Sequence, residues 1–440
     1  MSQKFYDLKK VPNDWRLTRL KYILDFSEET SKNYKSEKNL SLTKSGIIEK
    51  NISSNQGQIA KNYEKYILIK KGNICLNPMD LLSGWVDISM FDGLVSPAYY
   101  TLIPKENFEV RFLNYFLQSN FYRETFFTLG KGVASHDNYG RWVLTPEEFK
   151  NIYIYYPKVD TQKKISDYLD EKTEQIDLLI KNIEKKVELF KEKNISFLKK
   201  AVTKGLKPNT KMKDSEVEWI GKIPEHWQIV QIKRLLIDYF GGSWGDDPVI
   251  DQTQDLVKVI RVTEFEMQNL SVKMEIPTLR SLKLSDNSKK FIQNGDLILE
   301  KSGGGEKTPV GRVVIFDRDP DFPTVNSNFT NVCRSNSRIV DPKYCAYLLS
   351  SLYYAGVTVR NIRQTTGIQN LDLSGFMSEL VPLPPLNEQS KLLNELEVST
   401  RMINDIVEKS ICEINLLREY RKSLISSAVT GKFKVLKEMI

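Results

Sequence analysis

The chain has 440 residues, 40% of them hydrophobic, with 64 Lys and Arg against 56 Asp and Glu for a net charge of +8. That length provides for two to four domains with their own cores, and no apolar run approaches the roughly 18 residues that cross a bilayer. Four scattered cysteines without CxxC spacing, two histidines (His136, His226) and no GxSxG elbow argue against a disulfide framework, a zinc site or a serine triad.

In chain order, residues 1–156 are rich in aromatic and β-branched residues punctuated by Gly, Asn, Asp and Pro, as in YEKYILIKKGNICLNP. This predicts a compact mixed domain of many short strands. Its first residues, MSQKFYDLKK, carry charge with no apolar stretch behind it, so no secretory signal is expected and a cytoplasmic location is. Residues 157–213 hold a stretch without Pro or Gly from about 160 to 204, apolar at helical spacing, which predicts one helix about 60 Å long and a linker. Residues 214–383 read as a second mixed domain, and residues 384–440 as a second long helix from about 387 to 431.

The second half repeats the first. VPNDWRLTRLKYIL from Val11 is answered by IPEHWQIVQIKRLL from Ile223, an offset of 212. PKVDTQKKISDYLDEKTEQID from Pro157 is answered by PPLNEQSKLLNELEVSTRMIN from Pro384, an offset of 227 that persists to AVTKGLK and AVTGKFK. Two matches in the same order indicate a tandem duplication. The second globular part therefore carries 227 − 212 = 15 extra residues.

The long helices carry heptad seams. Leu169, Ile176, Ile183 and Phe190 recur every seven residues, with Thr173, Ile180, Val187 and Asn194 four after each. The second seam has Leu396, Ile403, Ser410 and Leu417 with Thr400, Val407, Ile414 and Arg421. Such seams demand a partner, and two in one chain predict antiparallel pairing with each other. Asn194 and Arg421 occupy equivalent polar positions; they fix register, receive another subunit, or are ordinary imperfections of a seam.

Charge is uneven. Residues 1–156 hold 21 basic and 17 acidic side chains, 157–213 hold 15 and 9, 214–383 hold 19 and 22, and 384–440 hold 9 and 8. The first half has the balance of a nucleic-acid binder; the second domain needs a local patch, for which Lys301, Lys307, Arg312, Arg360 and Arg363 are candidates. The Lys-rich stretch 181–200 reads more simply as a solvated helix face.

Three motifs suggest chemistry and fail on detail. NPMD (Asn77 to Asp80) lacks the second proline and the aromatic of an amino-methyltransferase loop. SGGGEKT (Ser302 to Thr308) has Glu306 between Gly305 and Lys307, which breaks the phosphate-loop pattern and leaves a Gly-rich β-connection or a DNA-contacting loop. Glu184, Lys185 and Lys186 have a nuclease-like ExK form but lie inside the long helix.

TGIQNLDLSGFMSELVPLPPLNEQSKLL (Thr366 to Leu393) resembles the specificity subunit of type I restriction-modification systems, as does its counterpart GRWVLTPEEFKNIYIYYPKVDTQKKI (Gly140 to Ile165). The P-x-x-W openings (Pro12 to Trp15, Pro224 to Trp227), the strand starts at Gly72 and Gly295, and VSPAYYTL (Val95 to Leu102) resemble that family's patterns too. TVNSNFTNV (Thr324 to Val332) departs from VSPAY, Lys158 replaces a junction proline, and Thr161 stands where glutamate is usual.

The resemblance implies an α+β fold: two target-recognition domains separated by two long antiparallel coiled-coil helices in a pseudo-twofold tandem repeat. It implies a non-catalytic DNA reader that binds no cofactor itself. The implied partners are double-stranded DNA, two modification subunits carrying S-adenosylmethionine for adenine N6 methylation, and two restriction subunits using ATP and Mg to cut DNA lacking the mark, away from any membrane. Loop composition suited to reading bases nominates Lys131, Ser135, His136, Asn138 and Arg141 in the first domain. In the second it nominates Lys307, Arg312, Arg363, Gln364, Thr365 and Gln369. A protein scaffold that touches no DNA is the competing reading, separated from the first by the salt dependence of DNA binding.

Overall fold

The computed structural model describes residues 11–31, 37–43, 46–50, 63–79, 86–133, 141–248, 256–283, 288–364 and 367–432. Among these, seven α-helices occur in chain order: α1 (Val110–Gln118), α2 (Asn120–Leu129), α3 (Pro146–Lys150), α4 (Val159–Lys204), α5 (Pro342–Tyr354), α6 (Leu373–Ser378) and α7 (Leu386–Val429). The long helices expected near 160–204 and 387–431 are α4 and α7. The chain divides into two compact units, Met1–Ile183 with Cys412–Ile440, and Glu184–Ile411. Each unit thus holds part of both long helices.

In the first unit, strands Leu24–Ser27, Tyr100–Pro104, Ile74–Leu76 and Val86–Ile88 form an antiparallel sheet in that order. Strand Arg16–Arg19 pairs with Tyr153–Tyr156, Arg16 opposite Tyr156, so the opening and closing segments of the globular part are tied together. Phe112, Phe116, Tyr122 and Phe149 fill the core, with Ile165, Leu169 and Ile176 of α4 and Leu424, Ile425 and Ala428 of α7 in the same buried cluster. α3 starts with a capping box in which Thr145 and Glu148 satisfy each other's backbone N–H, with Pro146 at the first helical turn.

The second unit repeats this plan. Its sheet runs Leu236–Gly241, Thr330–Ser335, Asp296–Glu300, Val313–Phe316, then two short added strands, Ser271–Val272 and Phe265–Glu266. The first four stand in the order of their counterparts. Gln228–Gln231 pairs with Leu380–Leu383, Gln228 opposite Leu383, which repeats the Arg16–Tyr156 pairing at offsets of 212 and 227. Gly72 and Gly295 both adopt φ near +90°, the left-handed region that favours glycine. Their offset, 295 − 72 = 223, shows that 223 − 212 = 11 of the extra residues precede Gly295, in the stretch containing the two added strands.

Central strands are buried on both faces and read as apolar runs. Asp296 and Glu300 end such a run, each only 1% exposed, and each is neutralised by a bidentate guanidinium: Arg334 on Asp296 at 2.8 and 2.8 Å, Arg312 on Glu300 at 2.7 and 2.7 Å. A buried carboxylate without such a partner is costly.

Along α4, Leu169, Thr173, Ile176, Ile180, Ile183 and Val187 are buried at alternating spacings of four and three. Phe190 and Asn194 are half-buried, and full burial returns at Leu198, Ala201 and Val202. A straight helix drifts about 20° per heptad against a 3.5-residue repeat, and this end of α4 joins the second unit's core with Trp227, Leu392 and Leu396. On α7, Leu396, Val407 and Ile414 are buried, Ile403 and Leu417 half-buried. In the second unit the end of α4 thus clusters with the start of α7, and in the first unit the start of α4 clusters with the end of α7. That order of partners is antiparallel. No described helix is long and apolar enough to cross a membrane.

Candidate nucleic-acid interface

In the second unit, three segments far apart in sequence form one small sheet: Ser302–Gly304, Gln369–Leu371 and Ile362–Gln364. The Gly-rich segment and the loop around Arg363 therefore meet. Gly305 and Thr308 bond each other's backbone in both directions, at 3.0 and 3.2 Å, which makes Glu306 and Lys307 the tip of a tight turn. SGGGEKT is a β-connection that presents an exposed Lys307.

Arg363 and Asn370 stand opposite each other on the hairpin. The Arg363 side chain is 75% exposed and donates Nη2 to Asp372 Oδ2 at 2.5 Å. Asp372 also caps α6 through Gly375 N, and that bond, with Arg363, holds its carboxyl below the usual range. Gln364 is exposed beside it, whereas Gln369 is buried and accepts from Val310 N at 3.3 Å. Arg312 lies off this surface: both nitrogens that face Glu300 are engaged there, and that bond raises its pKa. Arg360 is exposed and pairs with Glu218 at 3.0 Å. Lys301 is half-buried, and desolvation lowers its pKa. Thr365 lies outside the described residues.

The first unit has a hairpin at the corresponding place. Lys131–Val133 pairs with Arg141–Val143, Lys131 opposite Val143 and Val133 opposite Arg141. Aligned Trp142 and Gln369 both sit at the centre or start of the returning strand. Ser135, His136 and Asn138 lie outside the described residues. Each unit therefore builds a hairpin from the loop nominated for it. Sequence reading did not single out Phe329, at a turn beside this sheet and 46% exposed. Nothing in the composition of TVNSNFTNV separates that ring from a core aromatic.

The residues that suggested chemistry do other work. Asn77 Oδ1 accepts Met79 N at 3.0 Å and closes a local turn; Asp80 lies outside the described residues. Glu184, Lys185 and Lys186 are exposed on α4. His226 Nε2 and Trp227 Nε1 both reach Glu388 Oε2, at 2.7 and 3.2 Å, and dock the start of α7. Among the described residues no group of three His, Cys, Asp or Glu could hold a metal ion.

The family model of the type I restriction modification DNA specificity domain matches residues 12–189 and 252–416. A type I restriction enzyme specificity subunit of Methanocaldococcus jannaschii, MjaVIII, is 23% identical over 97% of this chain and 94% of its own. The putative MjaX specificity subunit of the same organism is 24% identical over 98% and 96%. Among solved structures, a chain described under complex assembly and conformational transition of the type I R-M system superposes with a TM-score of 0.69 at 13% identity, covering 96% of this chain and all of that one. The HsdS subunit from Thermoanaerobacter tengcongensis superposes with a TM-score of 0.51 at 14% identity, over 98% and 100%.

Proposed function

Because the chain belongs to the family of type I restriction modification DNA specificity domains, we propose that it is the reader of a bipartite, asymmetric DNA target, each unit reading one half. The observation that carries this is the repetition itself: one strand order and one hairpin, built twice in one chain. Two copies of a reading module that differ in their loops suit two half-sites of different sequence.

The chain supplies recognition and assembly. Chemistry comes from its partners: two modification subunits with S-adenosylmethionine methylate adenine N6, and two restriction subunits with ATP and Mg cut DNA lacking the mark, in the cytoplasm. Exposed Lys307, Arg363 and Gln364 offer the second unit phosphate and base contacts, and Lys131, Ser135, His136, Asn138 and Arg141 are assigned the same work in the first. α4, at 46 residues, is about 69 Å long, the length of roughly 20 base pairs. The long helices are accordingly assigned the spacing between half-sites.

The test is a single-base adenine methylation map of host DNA with and without the gene. Loss of one split, asymmetric methylated motif is expected. An unchanged map in a strain that expresses the chain and its modification subunits would overturn the reading.

A further inference from the structure

We propose that Phe329 is a specificity-determining residue of the second unit, making apolar contact with a thymine methyl group in its half-site. This rests on the DNA-reading function above. The ring stands on a turn with little freedom. Thr330 N and Oγ1 both donate to Ser327 O, at 3.0 and 2.9 Å, and Asn326 Nδ2 donates to Thr330 O at 2.9 Å. The carbonyl of Phe329 accepts from Lys301 N at 2.9 Å and Ser302 N at 3.2 Å. The turn is therefore bonded to the segment that becomes the strand Ser302–Gly304, which pairs with the hairpin of Arg363 and Gln364.

An exposed aromatic is ordinary by itself; one whose backbone is bonded to the strand that joins the hairpin of Arg363 and Gln364 belongs to the same candidate surface. Lys301, whose backbone N–H bonds the Phe329 carbonyl, is half-buried, and Lys307 is exposed at the turn that follows the strand Ser302–Gly304. Gly303 leaves space beside one edge of the Phe329 ring, since an added Cβ there would stand 3.6 Å from Cδ1 and 4.0 Å from Cε1. At 46% exposure the ring offers an apolar surface at this position. In the major groove the thymine C5 methyl is the apolar feature that such a surface can read.

The experiment uses the chain assembled with its modification subunits and the duplex target defined by the methylation map. Each thymine of the half-site read by the second unit is replaced in turn by uracil, which removes only the methyl. One replacement should weaken wild-type binding about fourfold, the worth of one buried methyl. Phe329→Ala should bind the thymine target about fourfold more weakly and be indifferent to that replacement, while Phe329→Leu retains most of the discrimination. Phe329→Ala melting as wild type yet binding the target equally well would overturn the proposal. So would a uracil effect unchanged in that variant, or a half-site without thymine. A wild-type complex that binds the target no better than random duplex would instead sink the DNA-reading function itself.

Discussion

Gln162 and Gln389, 227 residues apart, make the same junction in the two units. Gln162 Oε1 accepts Glu109 N at 3.0 Å while its Nε2 donates to Pro157 O at 2.9 Å. Gln389 Oε1 accepts Asp341 N at 2.8 Å, and its Nε2 donates to Pro384 O at 2.8 Å and Ile339 O at 2.9 Å. Glu109 and Asp341 are the N-caps of α1 and α5. One buried amide therefore joins the start of a long helix to the start of a domain helix, twice. The unusual Lys158 leaves this intact, because its carbonyl accepts from Gln162 N as that of Pro385 accepts from Gln389 N, both at 3.0 Å.

Gln389→Ala should destabilise the second unit by about 1–3 kcal/mol, since it strands buried backbone groups. Gln162→Ala, which loses one bond fewer, should cost the first unit less. Hydrogen exchange at the Asp341 and Glu109 amides checks both, and equal protection before and after substitution would show that water replaces the amide without loss.

Arg421 resolves one of the polar seam positions. Its guanidinium bridges to Asp177 of α4 through Nε at 3.0 Å and Nη2 at 3.1 Å. Both side chains are partly solvated, 30% and 54% exposed, so a double-mutant cycle of Arg421→Ala and Asp177→Ala should give a coupling of about 0.2–1 kcal/mol, smaller at high salt. A coupling independent of salt would point to register rather than charge as the pair's contribution.

Arg312 and Arg363, both nominated as DNA contacts of the second unit, should separate. Arg312→Ala leaves Glu300 buried and unpaired, and should cost about 3–5 kcal/mol of stability, with partial recovery in the double variant with Glu300→Leu. Arg363→Ala should leave the melting temperature unchanged, weaken DNA binding, and reduce the slope of log affinity against log salt by about 0.9 if it meets one phosphate. Thermal melting and salt titration of both variants decide the matter; a stable Arg312→Ala with weakened binding would reverse the assignment.

Each long helix ends at a left-handed glycine, Gly205 at φ +68° and Gly431 at φ +74°. A Cβ at Gly431 would stand 2.5 Å from Pro12 Cδ, whereas one at Gly205 would stand 3.4 Å from the Trp227 ring. Gly431→Ala should therefore lower the melting temperature of the first unit more than Gly205→Ala lowers that of the second, because it adds a collision with the Pro12 ring to the unfavourable φ. Equal shifts would leave only the φ cost.

The duplication, the two long helices and the resemblance were legible in the sequence because their signals are local: fixed offsets, a run without Pro or Gly, apolar residues at spacings of three and four. Pairing across the fold was not. Arg312 and Arg363 are both arginines in polar, Gly-rich surroundings, and only the alignment of Asp296–Glu300 beside Val313–Phe316 brings Arg312 to a buried carboxylate. Likewise only the sheet joining residues 302–304, 362–364 and 369–371 puts Lys307 and Arg363 on the same small structure. Strand pairing is a relation between segments whose separation along the chain is arbitrary, so no spacing encodes it; burial and hydrogen-bond partners follow from that pairing, and with them which cations are held by buried carboxylates and which stand at the surface.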